Sequence, residues 1–197
     1  YTTTTTDNHR EVVQDIFLKL HTAGHIYTKT EELPYCPKDA RFLPDRYVEG
    51  ECPHCHFGNA RGDQCDNCGK LLDPRELIAP RCKICGTTPE WRASEHFFLK
   101  LSAFEKELSS WVAKSSGWRG NAKQFTLNFL KQGLQDRAIT RDTEWGIPIP
   151  LPGYESKRIY VWFEAVSGYL SASKEWAHGT GDSAAWEKFW KGKDAFH

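Results

Sequence analysis

The chain has 197 residues, 39% hydrophobic and 26% charged, and its 26 basic and 26 acidic side chains cancel to a formal net charge of zero. That balance excludes a histone-like or ribosomal-protein-like basic body and an acidic tail protein, while a mean hydropathy of −0.62 describes a soluble globular chain. The longest uninterrupted apolar run, Ile159 to Phe163, is too short to span a bilayer, and no charged-then-apolar signal segment opens the chain, so nothing supports secretion.

Methionine is absent, including at position 1, which points to an internal piece of a longer protein. A first helix is predicted from Asn8, as N-cap with Glu11 at the capping-box position, to Gly24 as terminator. Within it Val12, Val13, Ile16, Phe17 and Leu20 fall at helical spacing and form one apolar stripe. His21-Thr22-Ala23-Gly24-His25 imitates a nucleotide-binding His-x-Gly-His signature but has one residue too many. A helix end capped by Gly24 is the better reading.

From Tyr27 to Pro89 the texture changes: prolines at 34, 37, 44, 53, 74, 80 and 89, five glycines and all seven cysteines break any long helix. A region of loops and short strands this size cannot bury enough apolar surface to hold itself together, and the cysteines are the candidates for what does. After Glu95 regular structure returns. His96 to Leu101 reads as a strand, and Ser102 is predicted to cap a helix, with Glu105 at the box position and Phe104, Leu108, Trp111 and Val112 on its apolar face. Phe125, Phe129, Leu130 and Leu134 repeat the helical spacing, and Ile139 to Pro152 is an extended, proline-rich connection. Arg158 to Phe163 is nearly all apolar, as expected of a strand buried on both faces in a parallel sheet. A helix over Ala165–Ala177 and a last short one carrying Trp186, Phe189 and Trp190 complete the prediction.

Six of the seven cysteines fall in Cys-x-x-Cys pairs, 52/55, 65/68 and 82/85. Close pairs in a chain without a secretory signal point to metal rather than to disulfides. Cys52, Cys55, Cys65 and Cys68 have zinc-knuckle spacing: two residues between cysteines let one tight turn present both sulfurs, and Gly58, Gly62 and Gly69 are expected to supply positive φ. Four thiolates leave no open position for water, so such a zinc is structural, contributing on the order of 10 kcal/mol to folding. Cys82-Lys83-Ile84-Cys85 lacks an obvious mate. Its best partner is Cys36-Pro37-Lys38-Asp39, where Asp39 stands in place of a fourth cysteine. Either Asp39 completes a mixed site with Cys36, Cys82 and Cys85, or His54 or His56 reaches in, or the site is degenerate. Taken alone the cluster fits a stand-alone zinc module that binds RNA or protein, or a metal-stapled insertion in an enzyme. Scattered Lys70, Arg75, Arg81 and Lys83 weaken the first, because phosphate contacts need clustered positive charge.

Phe42-Leu43-Pro44-Asp45-Arg46-Tyr47-Val48-Glu49-Gly50, followed by the first Cys-Pro-x-Cys and by Gly62-Asp63-Gln64-Cys65, resembles the connective-peptide region of methionyl-tRNA synthetases. The resemblance continues in family order through Ser94-Glu95-His96-Phe97-Phe98-Leu99, Ile139-Thr140-Arg141-Asp142, Trp145-Gly146-Ile147-Pro148, Tyr160 to Ala165 and Gly168-Tyr169, and so covers essentially the whole chain. It implies an α/β chain, part of a class I Rossmann-type catalytic core with an inserted zinc-knuckle connective-peptide domain. Residues 1–23 would be a helix of the core, 24–137 the connective peptide with knuckles inside 36–85, and 138–197 the return into the core. The family activates methionine with ATP and Mg²⁺ to methionyl-adenylate and transfers it to the acceptor end of tRNA(Met) in the cytoplasm. By the same resemblance Val161, Trp162 and Tyr169 line the methionine pocket and Arg141 serves substrate activation, while Glu164 stands where many members have Asp. An aromatic slot suits a thioether, since each sulfur–ring contact is worth roughly 0.3–1.5 kcal/mol. Neither of the family's two ATP signatures, His-Ile-Gly-His-like and Lys-Met-Ser-Lys-Ser-like, occurs in the chain. The expectation is therefore a segment lying between them that is inactive alone.

Overall fold

The first helix, α1 (Asp7–Thr22), starts from Thr6 and not from Asn8. Thr6 is extended and its hydroxyl accepts the His9 N–H at 3.2 Å, so Asn8 is released to donate its side-chain amide to the Ser171 carbonyl at 2.9 Å. Threonine and asparagine are both good caps, and the sequence offers both within one turn. At the other end Gly24 adopts φ +75° and its N–H returns to the His21 carbonyl, the left-handed ending that the sequence leads one to expect.

The computed structural model describes residues 2–192. The chain divides into two compact units: one comprises the stretch up to Thr28 and the stretch from His96 onward, the other Lys29–Glu95. β1 (Ile26–Cys36) leads from the first into the second. There it pairs antiparallel with β2 (Arg41–Phe42), with Cys36 opposite Arg41. β3 (Val48–Glu51) is the middle strand of a sheet, flanked antiparallel by β4 (Ala60–Arg61) and β5 (Ile78–Cys82), with a register irregularity between Glu49 and Glu51. The core of this unit is Cys36, Leu43, Val48, Cys52, Ala60, Cys65, Leu77 and Cys82. Half of that set is cysteine, which is the shortage of apolar surface anticipated from the composition. Gly62 sits where a Cβ would meet the Asp45 carbonyl at 2.7 Å and Pro74 Cγ at 2.8 Å. Its glycine is required by close approach and not by φ, and Gly58 likewise lacks a positive φ, so of the three glycines expected to do so only Gly69 does.

β6 (Glu90–Leu99) returns the chain to the first unit. A 3₁₀ turn over Leu101–Phe104 precedes α2 (Glu105–Lys114), so Ser102 is not the cap of that helix. Instead its N–H and hydroxyl both donate to Asp136, and Glu105 accepts the Leu134 N–H at 3.0 Å. α3 (Gly120–Lys131) buries Leu130 but leaves Phe125 and Phe129 exposed. β7 (Arg137–Ala138) pairs antiparallel with the end of β6, and β8 (Thr140–Asp142) with β9 (Lys157–Ile159). The expected parallel strand over 158–163 is therefore wrong on both counts: the strand stops at Ile159 and is antiparallel, and Val161–Val166 is helix α4. A short apolar run does not by itself distinguish the two states. Here the Glu164 N–H closes a helical turn onto the Tyr160 carbonyl. The expected helix over 165–177 is likewise two pieces meeting at Ser167, α4 and α5 (Gly168–Gly179), and α6 (Ala185–Lys191) follows.

The core of the first unit joins Val13 and Phe17 of α1 to Ile26, Phe97, Ile139, Ile147, Ile149 and Ile159. Phe17 meets Phe97 edge-on at 5.3 Å, and Phe97 meets Tyr154 at 4.6 Å. Among the described residues no helix is long and apolar enough to cross a membrane. Phe17→Ala is expected to destabilise the first unit by about 3–5 kcal/mol, read as a lowered denaturation midpoint with metal content unchanged.

Candidate functional site

Four turns of one design build the second unit. In three of them a cysteine accepts, through its carbonyl, the N–H of the residue four on, and its own N–H goes to the carbonyl five on. Cys52 does so with His56 (3.0 Å) and Phe57 (2.9 Å), Cys65 with Gly69 and Lys70 (both 2.9 Å), and Cys82 with Gly86 and Thr87 (both 2.8 Å). The Cys36 turn closes through its pairing with Arg41. The fifth residue of every turn is left-handed: Ala40 at φ 50°, His56 at 60°, Gly69 at 71° and Gly86 at 74°. Two of the four are not glycine, although an L-residue there costs about 1–2 kcal/mol. Something beyond backbone preference must hold them.

The turns converge in pairs. The sulfurs of Cys52, Cys55, Cys65 and Cys68 lie within 4.8 Å of one another, as do the ligand atoms of Cys36, Asp39, Cys82 and Cys85. In the first group Cys55–Cys65 is 3.6 Å and Cys52–Cys68 is 3.9 Å. Sulfurs held tetrahedrally at about 2.3 Å from one ion stand about 3.8 Å apart, so these spacings match one ion. In the second group Cys36–Cys85 is 3.4 Å, and the Asp39 carboxylate is 3.3 Å from both Cys36 and Cys82, close to the edge of about 3.5 Å for a mixed sulfur and oxygen set. Either group could hold a metal. Neither histidine weighed for the second group belongs to it; His56 Nδ1 lies 2.7 Å from Glu51 instead.

Electrostatics says why an ion is wanted. The Asn67 amide (3.5 Å), and after it the Phe57 backbone N–H, pull the Cys55 thiol down to about 6. The Lys70 backbone N–H draws Cys68 the same way, but desolvation of its sulfur and the adjoining thiols outweigh it and push Cys68 up to about 11. Burial pushes Cys36 up to about 11, and hydrogen bonds from Cys85, Cys82 and Cys36 hold the Asp39 carboxyl below the usual carboxylate range. Four mutually adjacent thiolates are not stable without a divalent cation, so the metal-free clusters remain partly protonated.

The first unit holds the remaining predicted residues. Arg141 donates to the Thr140 carbonyl at 2.8 Å and the Ala138 carbonyl at 3.2 Å, and its guanidinium lies 3.9 Å over the Tyr160 ring. Beside it, buried His96 lies 3.0 Å from Thr140 Oγ1 and 2.9 Å from Asp142 Oδ2, and Asp142 also takes Lys157. Val161 and Trp162 open α4 and Tyr169 opens α5, and all three are exposed, the aromatics by 70% and 74%. Two buried histidines escaped the sequence reading. His9, fully buried, lies 2.6 Å from Glu164 and 2.8 Å from Ser171. Its signal was present: it extends the Val12, Val13, Ile16, Phe17, Leu20 stripe by one helical turn.

Comparison with known proteins decides the family. The model of the class I (M) tRNA synthetases matches residues 1–197. The chain belongs to that family. A methionine–tRNA ligase of Dehalococcoides mccartyi (strain CBDB1) is 62% identical over 192 residues, 98% of this chain and 35% of that protein. One from the archaeon Caldivirga maquilingensis is 53% identical over 193 residues, 98% of this chain and 33% of its own length. The chain thus spans about a third of the curated relatives it matches. Among solved structures, Mycobacterium tuberculosis methionyl-tRNA synthetase bound by methionyl-adenylate aligns with TM-score 0.55 at 21% identity, covering 88% of this chain and 30% of that one. This family member therefore has the mixed helix-and-sheet fold of a class I synthetase, as the motifs implied.

In metal-stripped protein at neutral pH, Cys55 is expected to be alkylated first, because its pKa is pulled down to about 6, and Cys36 well after it, because burial pushes its thiol up to about 11 and shields it. Peptide mass spectrometry against time reads the order.

Proposed function

We propose that this chain is the middle segment of a methionyl-tRNA synthetase, an enzyme that activates methionine with ATP and Mg²⁺ and transfers it to tRNA(Met) in the cytoplasm. The observation that carries the reading is identity of 50–62% to methionine–tRNA ligases over nearly the whole chain, together with the motif order in the sequence. In this reading residues 24–137 are the connective peptide, inserted between stretches of catalytic core at 1–23 and 138–197. It guides the acceptor end of the tRNA.

Zinc fills both turn pairs, one ion on Cys52, Cys55, Cys65 and Cys68 and one on Cys36, Asp39, Cys82 and Cys85, and supplies cross-linking without Lewis-acid chemistry, because all four positions are taken. N–H donors around the sulfurs, Asn67 to Cys55, His54 to Cys52 and Asp39 to Cys36, orient the ligands and spread their charge. The exposed side chains of Val161, Trp162 and Tyr169 face the methionine side chain. Such a wall gains dispersion and sulfur–ring contact but separates near-isosteric side chains by only about 1–3 kcal/mol per methylene. Arg141, fixed by two carbonyls and stacked on Tyr160, offers a preorganised positive charge to the reacting carboxylate and phosphate. ATP is handled by signatures this sequence does not contain.

Elemental analysis of the purified chain is expected to give two zinc ions per molecule, with one lost in Cys65→Ser and the other in Asp39→Ala. Acid should release both, because protons compete with the ion for thiolate. The isolated chain should show no methionine-dependent ATP–pyrophosphate exchange while the full-length enzyme does. Exchange by the chain alone would overturn the reading, and salt-dependent RNA binding by the chain alone at ordinary ionic strength would favour a stand-alone zinc-binding interaction module.

A further inference from the structure

Two helices of the first unit carry the same pairing of residues. On α4, Glu164 follows Trp162 by two positions, and on α5, Ser171 follows Tyr169 by two. Residues two apart on a helix differ by about 200° around its axis, so when one points into the protein the other points out. That is what is found. The Glu164 side chain is 13% exposed and Ser171 is buried, whereas Trp162 and Tyr169 are exposed. Both inward residues end on one imidazole. His9 of α1 lies 2.6 Å from Glu164 Oε2 through Nε2 and 2.8 Å from Ser171 Oγ through Nδ1. Ser171 Oγ also donates its single proton to the Gly168 carbonyl at 3.0 Å. It must therefore accept from Nδ1–H, and the short Nε2–Oε2 contact holds one further proton. Asn8, the preceding residue of α1, adds a bond to the Ser171 carbonyl.

We propose that His9 is a positioning residue for methionine recognition: it pins α4 and α5 to α1 through Glu164 and Ser171 and thereby sets the angle between the outward Trp162 and Tyr169. This rests on the reading of those two aromatics as a wall of the methionine pocket. His9 is fully buried, and its two nitrogens are engaged by two different helices. A core position of this kind is filled more cheaply by a leucine unless the direction of the bonds matters. An aromatic slot selects by shape, and a displacement of about 1 Å at such a wall is enough to cost up to a hundredfold.

The test uses the full-length enzyme carrying this segment, with ATP–pyrophosphate exchange measured per active site. His9→Phe keeps the ring volume and loses both bonds, Glu164→Ala removes one anchor, and Ser171→Ala removes the other with little change of volume. Glu164→Gln retains a hydrogen bond to Nε2 and serves as the conservative rescue. The expected result is a rise in the KM for methionine on the order of tenfold in His9→Phe and Glu164→Ala and about threefold in Ser171→Ala. The KM for ATP should stay within about twofold, and Glu164→Gln should stay near the wild type in both constants. A merely structural role predicts instead a lower melting temperature and fewer active sites with the methionine KM unmoved, and that result overturns the proposal. So does an equal rise in both KM values. If His9→Phe does not fold, Ser171→Ala and Glu164→Ala decide by the same criteria. Absence of methionine-dependent exchange in the wild-type enzyme would sink the underlying reading, whereas exchange with unmoved methionine KM in the variants sinks this inference alone.

Discussion

Convergence of thiol ligands on shared points is the constraint from which the second unit follows. A stretch of 67 residues, Lys29–Glu95, with two- to five-residue strands away from its ends has little apolar surface to bury, and half of its core consists of cysteines. Domains of this size are marginal on hydrophobic burial alone. The turns carry a further cost, since Ala40 and His56 are held left-handed. An ion bound as proposed would contribute on the order of 10 kcal/mol and outweigh both deficits. It would also couple every strand that ends in a turn, tying together turns separated by up to several tens of residues.

The first unit is organised by a different means. Its apolar centre is built from side chains far apart in sequence, Val13 and Phe17 against Phe97 and the isoleucines of 139–159, and its polar interior is concentrated on two histidines. His9 bridges three helices, and His96 bridges β6 to β8 through Thr140 and Asp142. His9, with both nitrogens engaged, fixes orientation as well as separation, because each bond is directional. The residues proposed to meet substrate sit beside these histidines: Arg141 lies between Thr140 and Asp142, and Trp162 lies two residues before Glu164.

Much of this was legible in the sequence, and unevenly so. Local signals worked where the chemistry is local: Cys-x-x-Cys spacing pointed to Cys52, Cys55, Cys65 and Cys68, Asp39 beside Cys36, Cys82 and Cys85 was one of the alternatives it left open, and both groups converge; Gly24 marked the end of α1. They failed where a neighbour in space decides. Ser102 looked like a cap, but Asp136 claims both its donors. The run at 158–163 looked like a buried strand, but only its first turn of residues up to Ile159 pairs with β8, and the next residues wind into α4. His9 showed in the sequence only as an extension of the apolar stripe, because the partners that give it a role, Glu164 and Ser171, arrive from more than 150 positions away.

The left-handed residue that closes each ligand turn has a practical bearing on how such modules are recognised. Two of the four positions are alanine and histidine, and one of the four turns presents a carboxylate where a thiol is customary. A search template written as Cys-x-x-Cys-Gly would retrieve only the turns at 65–69 and 82–86 and would count half a module. Templates built on the left-handed fifth residue, with any residue type allowed there and aspartate allowed at the fourth place, would recover all four and with them the second ligand group.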